Sequence, residues 1–256
     1  MKIAAKLRIP RMAVLTDAPR NITGMSSTYL RKIHENVGKS DCSFALTKGL
    51  VEEFGLQRKP SFVRPILIDD DPVEKMKRER PYIYYGGALF VKDGLAELLE
   101  SYLSLQPDYD LIISGHGPYE SAIGMAAESN PHVIFLGQVD KATHLSYVMG
   151  ANLCINPRPY QKGLDEVAVP SKMMEYLLLC DYVASYKTSP IEEVFPDDVN
   201  WINGDIESFL RRNLDERGNP VGMVRNSAKK KISENWGIEK TGVLLRGYLA
   251  TSDVFQ

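Results

Sequence analysis

The chain is poor in the residues that build metal and disulfide chemistry. Its three cysteines, Cys42, Cys154 and Cys180, are an odd number without ligand-like spacing, so neither a disulfide framework nor a thiolate metal site is expected. They read as small buried residues of a reducing compartment, the cytoplasm. Only four histidines are present, and none stands at metal spacing from His116, which argues against a bound metal. No apolar run approaches the ~20 residues needed to span a bilayer. The opening stretch MKIAAKLRIP lacks the apolar segment of a secretory signal. A net charge of -2 gives no global attraction to nucleic acid or to an anionic membrane. Repeats and low-complexity tracts are absent as well.

What remains is the composition of an ordinary globular protein, 44% apolar and 25% charged. Its 256 residues suffice for one large domain or two modest ones. From residue 80 onward, short apolar runs alternate with helical patterns. Residues 82–85, 111–114, 133–136, 153–156 and 182–185 read as strands, and 94–105, 119–128, 141–149 and 171–179 as helices. This alternation predicts an α/β fold, a Rossmann-like parallel sheet with helices on both faces. Ligands of such sheets bind beyond the carboxyl ends of the strands. Residues 1–70 look like part of a second α/β domain, with strands at 12–15, 43–45 and 61–63 and helices near 28–36 and 48–54. Three strands leave an open edge. The charged, proline-flanked stretch 71–80 reads as a linker, residues 81–235 as the main domain, and 236–256 as a closing helix.

Several strands end in candidate ligand loops. In YYGGALFVKDG, Gly86 and Gly87 let backbone amides approach a ligand, and Lys92 adds a cation. The same stretch reads equally as a glycine turn beside a solvated lysine. In IISGHGPYE, Gly115, His116 and Gly117 join strand to helix, with His116 either a phosphate or sugar contact or a plain loop histidine. In LCINPRPYQKG, Asn156 and Arg158 offer polar groups to a cleft or to solvent.

The stretch VPSKMMEYLLLC carries the strongest signal. Ser171 is a good N-cap, and Lys172 then stands in the first turn, where the helix dipole disfavours a cation. A bound anion reverses that sign, because amides, dipole and ammonium converge on one phosphate. Glu175, one turn in, only accepts hydrogen bonds, as the vicinal hydroxyls of a ribose require. The alternative is that Glu175 compensates the dipole and Lys172 reaches into water.

Taken together, YYGGALFVKDG, LIISGHGP, VIFLGQVDKATHLSYV, LCINPRPYQKG and VPSKMMEYL resemble, in order and spacing, the carboxyl-terminal domain of the GT-B glycosyltransferases of family 4. RMAVLTDAP and KSDCSFALTKGLVEEFG resemble the last part of that family's amino-terminal domain, and NWGIEKTGVLLRGYL its closing helix. The resemblance implies a retaining glycosyltransferase without bound metal or other cofactor, using a UDP- or GDP-sugar donor and a saccharide or lipid-linked acceptor in polysaccharide or glycoconjugate synthesis. It implies that Lys92 and Lys172 hold the diphosphate and Glu175 the ribose. Backbone groups of 137–139, Gly137 and Val139 included, would line the base. Gly115 to Gly117 and the loop of Asn156 and Arg158 would lie near diphosphate and sugar. No nucleic acid is implied. A second copy or a complementing chain is implied as a partner, and peripheral contact with the inner membrane face is compatible with lipid-linked acceptors. An alternative is a non-catalytic nucleotide-sugar-binding chain.

The chain departs from the family pattern at four places. Gly87 stands where many members have arginine, and Val167 where the first glutamate of a paired set falls. Thr16 replaces a histidine before Asp17. Cys180 takes the place of the glycine that ends the helix, so that end needs another solution.

Overall fold

The computed structural model describes residues 9–19, 25–64, 74–168, 170–236 and 238–251. The chain forms two compact units. One comprises Met1–Asp69, Gln161–Pro170 and Ser233–Gln256, the other Asp70–Tyr160 and Ser171–Ile232. Gln161–Pro170 and the end of the tail thus group with the first unit. Residues 71–73 of the expected linker lie outside the described residues, and 74–80 group with the second unit.

The first unit is built on a parallel sheet of three strands, β1 (Met12–Leu15), β2 (Cys42–Ala45) and β3 (Ser61–Val63), in the order β1-β2-β3. Helix α1 (Ser27–Val37) is capped by Ser26, which accepts from the Tyr29 amide, and α2 (Lys48–Glu53) by Thr47, which accepts from Leu50. The Thr47 hydroxyl donates in turn to the carbonyl of Val167 at 2.7 Å. Val167 itself lies in the apolar core with Leu15, Leu50, Val51 and Leu56. An apolar residue at this position, where the family pattern has a glutamate, therefore serves the core of the first unit. The late helix α10 (Ile238–Thr251) belongs to this unit and sets Tyr248 against Phe62 of β3.

The second unit carries six parallel strands: β4 (Tyr82–Gly86), β5 (Asp110–Ser114), β6 (Val133–Phe135), β7 (Leu153–Asn156), β8 (Val183–Ser185) and β9 (Asn200–Trp201). Their order is β6-β5-β4-β7-β8-β9, the doubly wound arrangement whose direction of growth reverses between β4 and β7. Strands β4, β5, β7 and β8 are buried throughout, as expected for a sheet covered on both faces, while the edge strands β6 and β9 are half-buried. Side chains of one parity, including Ile83, Tyr85, Leu111, Ile113, Leu153 and Ile155, pack with α3 (Leu95–Leu105), α4 (Glu120–Ser129) and α8 (Ile206–Asn213). On the other face Tyr84 stacks on Tyr147 of α5 (Lys141–Gly150), which packs beside α6 (Ser171–Leu179). Two elements had no counterpart in the sequence reading, α7 (Ser189–Val194) and the two-residue β9. Helix α9 (Ala228–Trp236) follows as expected of the helical tail.

Helix α6 lacks a terminal glycine, and its end is closed from outside. The side-chain amide of Asn226 donates to the carbonyls of Leu177 at 2.7 Å and Cys180 at 2.9 Å. Two carbonyls that a helix end leaves without partners are thereby satisfied.

Candidate functional site

The reversal point between β4 and β7 is where this topology opens a crevice, and four strand-end loops meet around it in the second unit. Backbone hydrogen bonds tie these loops together. The Gly87 amide donates to Ser114, the Gly115 amide to Gly137, and the Leu89 amide to His116, at 3.0, 2.8 and 3.1 Å. A Cβ on Gly115 would collide with the Gly87 carbonyl, and one on Gly117 with the Leu89 carbonyl. These two glycines allow backbone to lie on backbone. Of residues 137–139, expected to line a base through backbone groups, the Gly137 carbonyl accepts from Gly115 and Val139 is half-buried.

Helix α6 starts at Ser171, so that residue opens the helix instead of capping it, and it is exposed. Pro170 precedes it, and its ring restricts the backbone at the entry. Lys172 is the second helical residue. Its ammonium donates to the Tyr85 hydroxyl at 2.7 Å and lies 4.2 Å from the Tyr85 ring centre. The Tyr85 hydroxyl passes its own hydrogen to the Ala88 carbonyl. Lys172 as a residue keeps part of its surface in solvent, yet its charged end sits among these groups. Burial pulls its pKa down to about 8, opposed by Asp93, assisted by Arg158 and opposed again by Glu175. A helix N-terminus with two neighbouring cations, one of them poorly solvated, is suited to a polyanion.

Glu175 lies one turn along and accepts from His144 Nε2 at 3.1 Å, with about a third of its side chain exposed. Tyr176, next along the helix, holds the end of β4: its hydroxyl accepts from the Gly86 amide at 3.0 Å. Asn156, wholly buried at the end of β7, donates to Ser185 at 3.0 Å. Its Oδ1 has no partner among the described residues.

The sequence-predicted residues therefore divide. Lys172, Glu175, Arg158 and the glycines at 86, 87, 115 and 117 gather around the reversal point. Lys92 sits on an exposed 3-10 turn (Val91–Asp93) with its ammonium over the Phe90 ring at 5.3 Å; the member of that turn whose charge acts on Lys172 is Asp93. His116 is exposed and pairs with Glu120. Sequence reasoning missed Tyr85, Tyr176 and His144. A histidine and tyrosines at otherwise apolar positions of buried elements were the available signal.

No group of histidine, cysteine or acidic residues among the described residues could hold a metal ion. Nor is any described helix long and apolar enough to cross a membrane.

No protein-family model matches the chain, and no curated protein matches it. Solved structures do. HepE of Anabaena, in complex with UDP, superposes with a TM-score of 0.69 at 12% identity, over 97% of this chain and 74% of that one. The GtfA/B complex gives 0.64 at 12% identity, over 97% and 54%. TarM gives 0.65 at 14% identity, over 96% and 50%. The chain thus spans only about half the length of the GtfA/B and TarM chains. At these identities the likeness is one of fold, and the fold is that of the GT-B glycosyltransferases.

Proposed function

We propose that the second unit binds a nucleotide-diphosphate sugar at the carboxyl ends of β4 and β7, and that the chain acts as a retaining glycosyltransferase of the family 4 type. The observation that carries this reading is the placement of the Lys172 ammonium and the Glu175 carboxylate in the first turns of α6 beside the reversal point. Lys172, Arg158 and the first amides of α6 receive the diphosphate, and Glu175 receives the ribose hydroxyls. In transfer, the bond between the anomeric carbon and the β-phosphate oxygen breaks and its electron pair leaves with the diphosphate. An acceptor hydroxyl forms the new bond to the anomeric carbon, and its proton goes to the departing β-phosphate oxygen. Cations and helix amides fixed around the departing charge lower the barrier by electrostatic stabilisation. The acceptor is a saccharide or a lipid-linked saccharide.

The test is a calorimetric titration of UDP and GDP against the chain and its Glu175→Ala variant. One nucleotide should bind the wild type, and the variant should lose roughly 1.5–3 kcal/mol, the scale of charge-assisted hydrogen bonds. A folded wild type that binds neither nucleotide, or a variant that binds as well, would overturn the reading. Binding without release of free nucleotide diphosphate from UDP- or GDP-sugars in the presence of acceptor would reduce it to a non-catalytic binding chain.

A further inference from the structure

A polar chain runs under the candidate site through four elements. Ser114 closes β5, Tyr84 stands in β4, His144 in α5 and Glu175 in α6. The Ser114 and Tyr84 hydroxyls are 2.5 Å apart, Tyr84 Oη and His144 Nδ1 2.8 Å, and His144 Nε2 and Glu175 Oε2 3.1 Å. The donor inventory fixes the bond to Glu175, and with a neutral imidazole it sets the other two as well. A carboxylate only accepts, so Nε2 carries a hydrogen. Nδ1 of a neutral imidazole is then a lone pair, and Tyr84 must give it the one phenolic hydrogen. Ser114 must in turn donate to Tyr84. With His144 neutral the order runs from Ser114 through Tyr84 and His144 to Glu175; with an imidazolium Nδ1 donates to Tyr84 and Tyr84 to Ser114, and in either order Nε2 donates to Glu175.

The neighbourhood makes room for this chain. Ser114 and Tyr84 are 2% and 0% exposed. Burial pushes the Tyr84 phenol well above its usual range, which keeps it a donor. A Cβ at Gly86 would lie 2.5 Å from His144 Nδ1 and 2.8 Å from Tyr84 Oη. Glycine at 86 is therefore explained by His144 as much as by any ligand.

An unrestrained glutamate side chain samples several rotamers, and freezing it costs entropy at the moment of binding. A carboxylate already fixed through one oxygen presents its other oxygen to a ligand without that cost. We infer that His144 is a positioning residue: backed by Tyr84 and Ser114, it sets the orientation of Glu175 and so governs ribose recognition separately from the diphosphate contacts of Lys172. This rests on the proposal that Glu175 receives the ribose.

The experiment compares dissociation constants for UDP and 2′-deoxy-UDP, or the guanine pair if GDP binds more tightly, in the wild type, Glu175→Ala and His144→Leu, Gln and Asn. The wild type should prefer the ribonucleotide by about tenfold or more. His144→Leu should bind the deoxy form as the wild type does and lose the preference. His144→Gln, whose terminal amide reaches the place of Nε2, should restore most of it, whereas His144→Asn, too short to reach Glu175, should not. A purely structural role would weaken both nucleotides together in all three. Retention of the ribose preference in His144→Leu, or equal preference in the Gln and Asn variants if Leu does not fold, overturns the inference. A preference that survives Glu175→Ala overturns the ribose reading of Glu175 instead. A wild type that binds no nucleotide overturns both.

Discussion

The Lys172 ammonium occupies the space in which a side chain at position 87 would begin: a Cβ on Gly87 would lie 2.8 Å from Nζ and 3.0 Å from Cε. Real Cβ atoms do not come that close, so any larger residue at 87 obliges the flexible end of Lys172 to move. Where the resembled family carries an arginine, this chain thus has a cation beside the backbone of residue 87, brought by Lys172.

Gly87→Ala should therefore act through Lys172. The methyl group pushes the ammonium off Tyr85 and away from its hydrogen bond. Nucleotide affinity is expected to fall by about tenfold, the scale of one charge-assisted contact, and the positive φ of Gly87, 157°, adds a backbone cost that should lower the urea midpoint as well. Gly87→Arg should displace Lys172 but bring its own charge, so part of the affinity returns. Equal loss in both variants would mean that the loss is backbone strain and not a displaced charge, and no loss in Gly87→Ala would mean that Lys172 contributes nothing at this point.

The depressed pKa of Lys172, about 8, makes a prediction about pH. Anion binding needs the protonated amine. Below pH 7 nearly all of the free protein is charged, and above about 8 a growing share must take up a proton on binding. Affinity for a nucleoside diphosphate should thus be flat from pH 6.5 to 7.5 and fall towards tenfold per unit between pH 8 and 9, by linkage. Lys172→Arg keeps its charge at every such pH and should remove the decline. Lys172→Met should show weak binding with no decline. Calorimetry at four pH values distinguishes these three curves.

Much of the fold was legible because its signals are local. Alternating apolar runs and helical periods located β4 to β8 and α3 to α6 to within a residue or two, and α6 to its ends at Ser171 and Leu179. The two-residue β9 and the six-residue α7 are too short to show any period. In the site, Lys172 and Glu175 stood out because they share one turn of one helix, and their spacing alone suggests a joint task. His144 did not, because its partners lie 60 and 31 positions away in sequence. Nor could spacing reveal that Lys172 rests on Tyr85, 87 positions away, or that Val167 serves the core of the first unit.

Asn226 offers the most direct test of how α6 is held. The sequence shows only that the helix ends at Cys180 without glycine. Asn226 supplies both missing donors, to Leu177 and Cys180, while its Oδ1 accepts from the Ala228 amide at 2.8 Å at the start of α9. One side chain thus closes one helix and opens the next. Asn226→Ala removes three hydrogen bonds from part-buried groups and should destabilise the protein by about 2–3 kcal/mol. Asn226→Asp keeps the acceptor for Ala228 but loses the donors and sets a carboxylate against two carbonyl oxygens, so it should be at least as damaging. Urea unfolding of the two variants separates the contributions. If Asp were as stable as wild type, the helix start would be the important contact and the closure of α6 incidental. If both were destabilised while nucleotide affinity below the transition stayed unchanged, Asn226 would hold the end of α6 without shaping the site at its start.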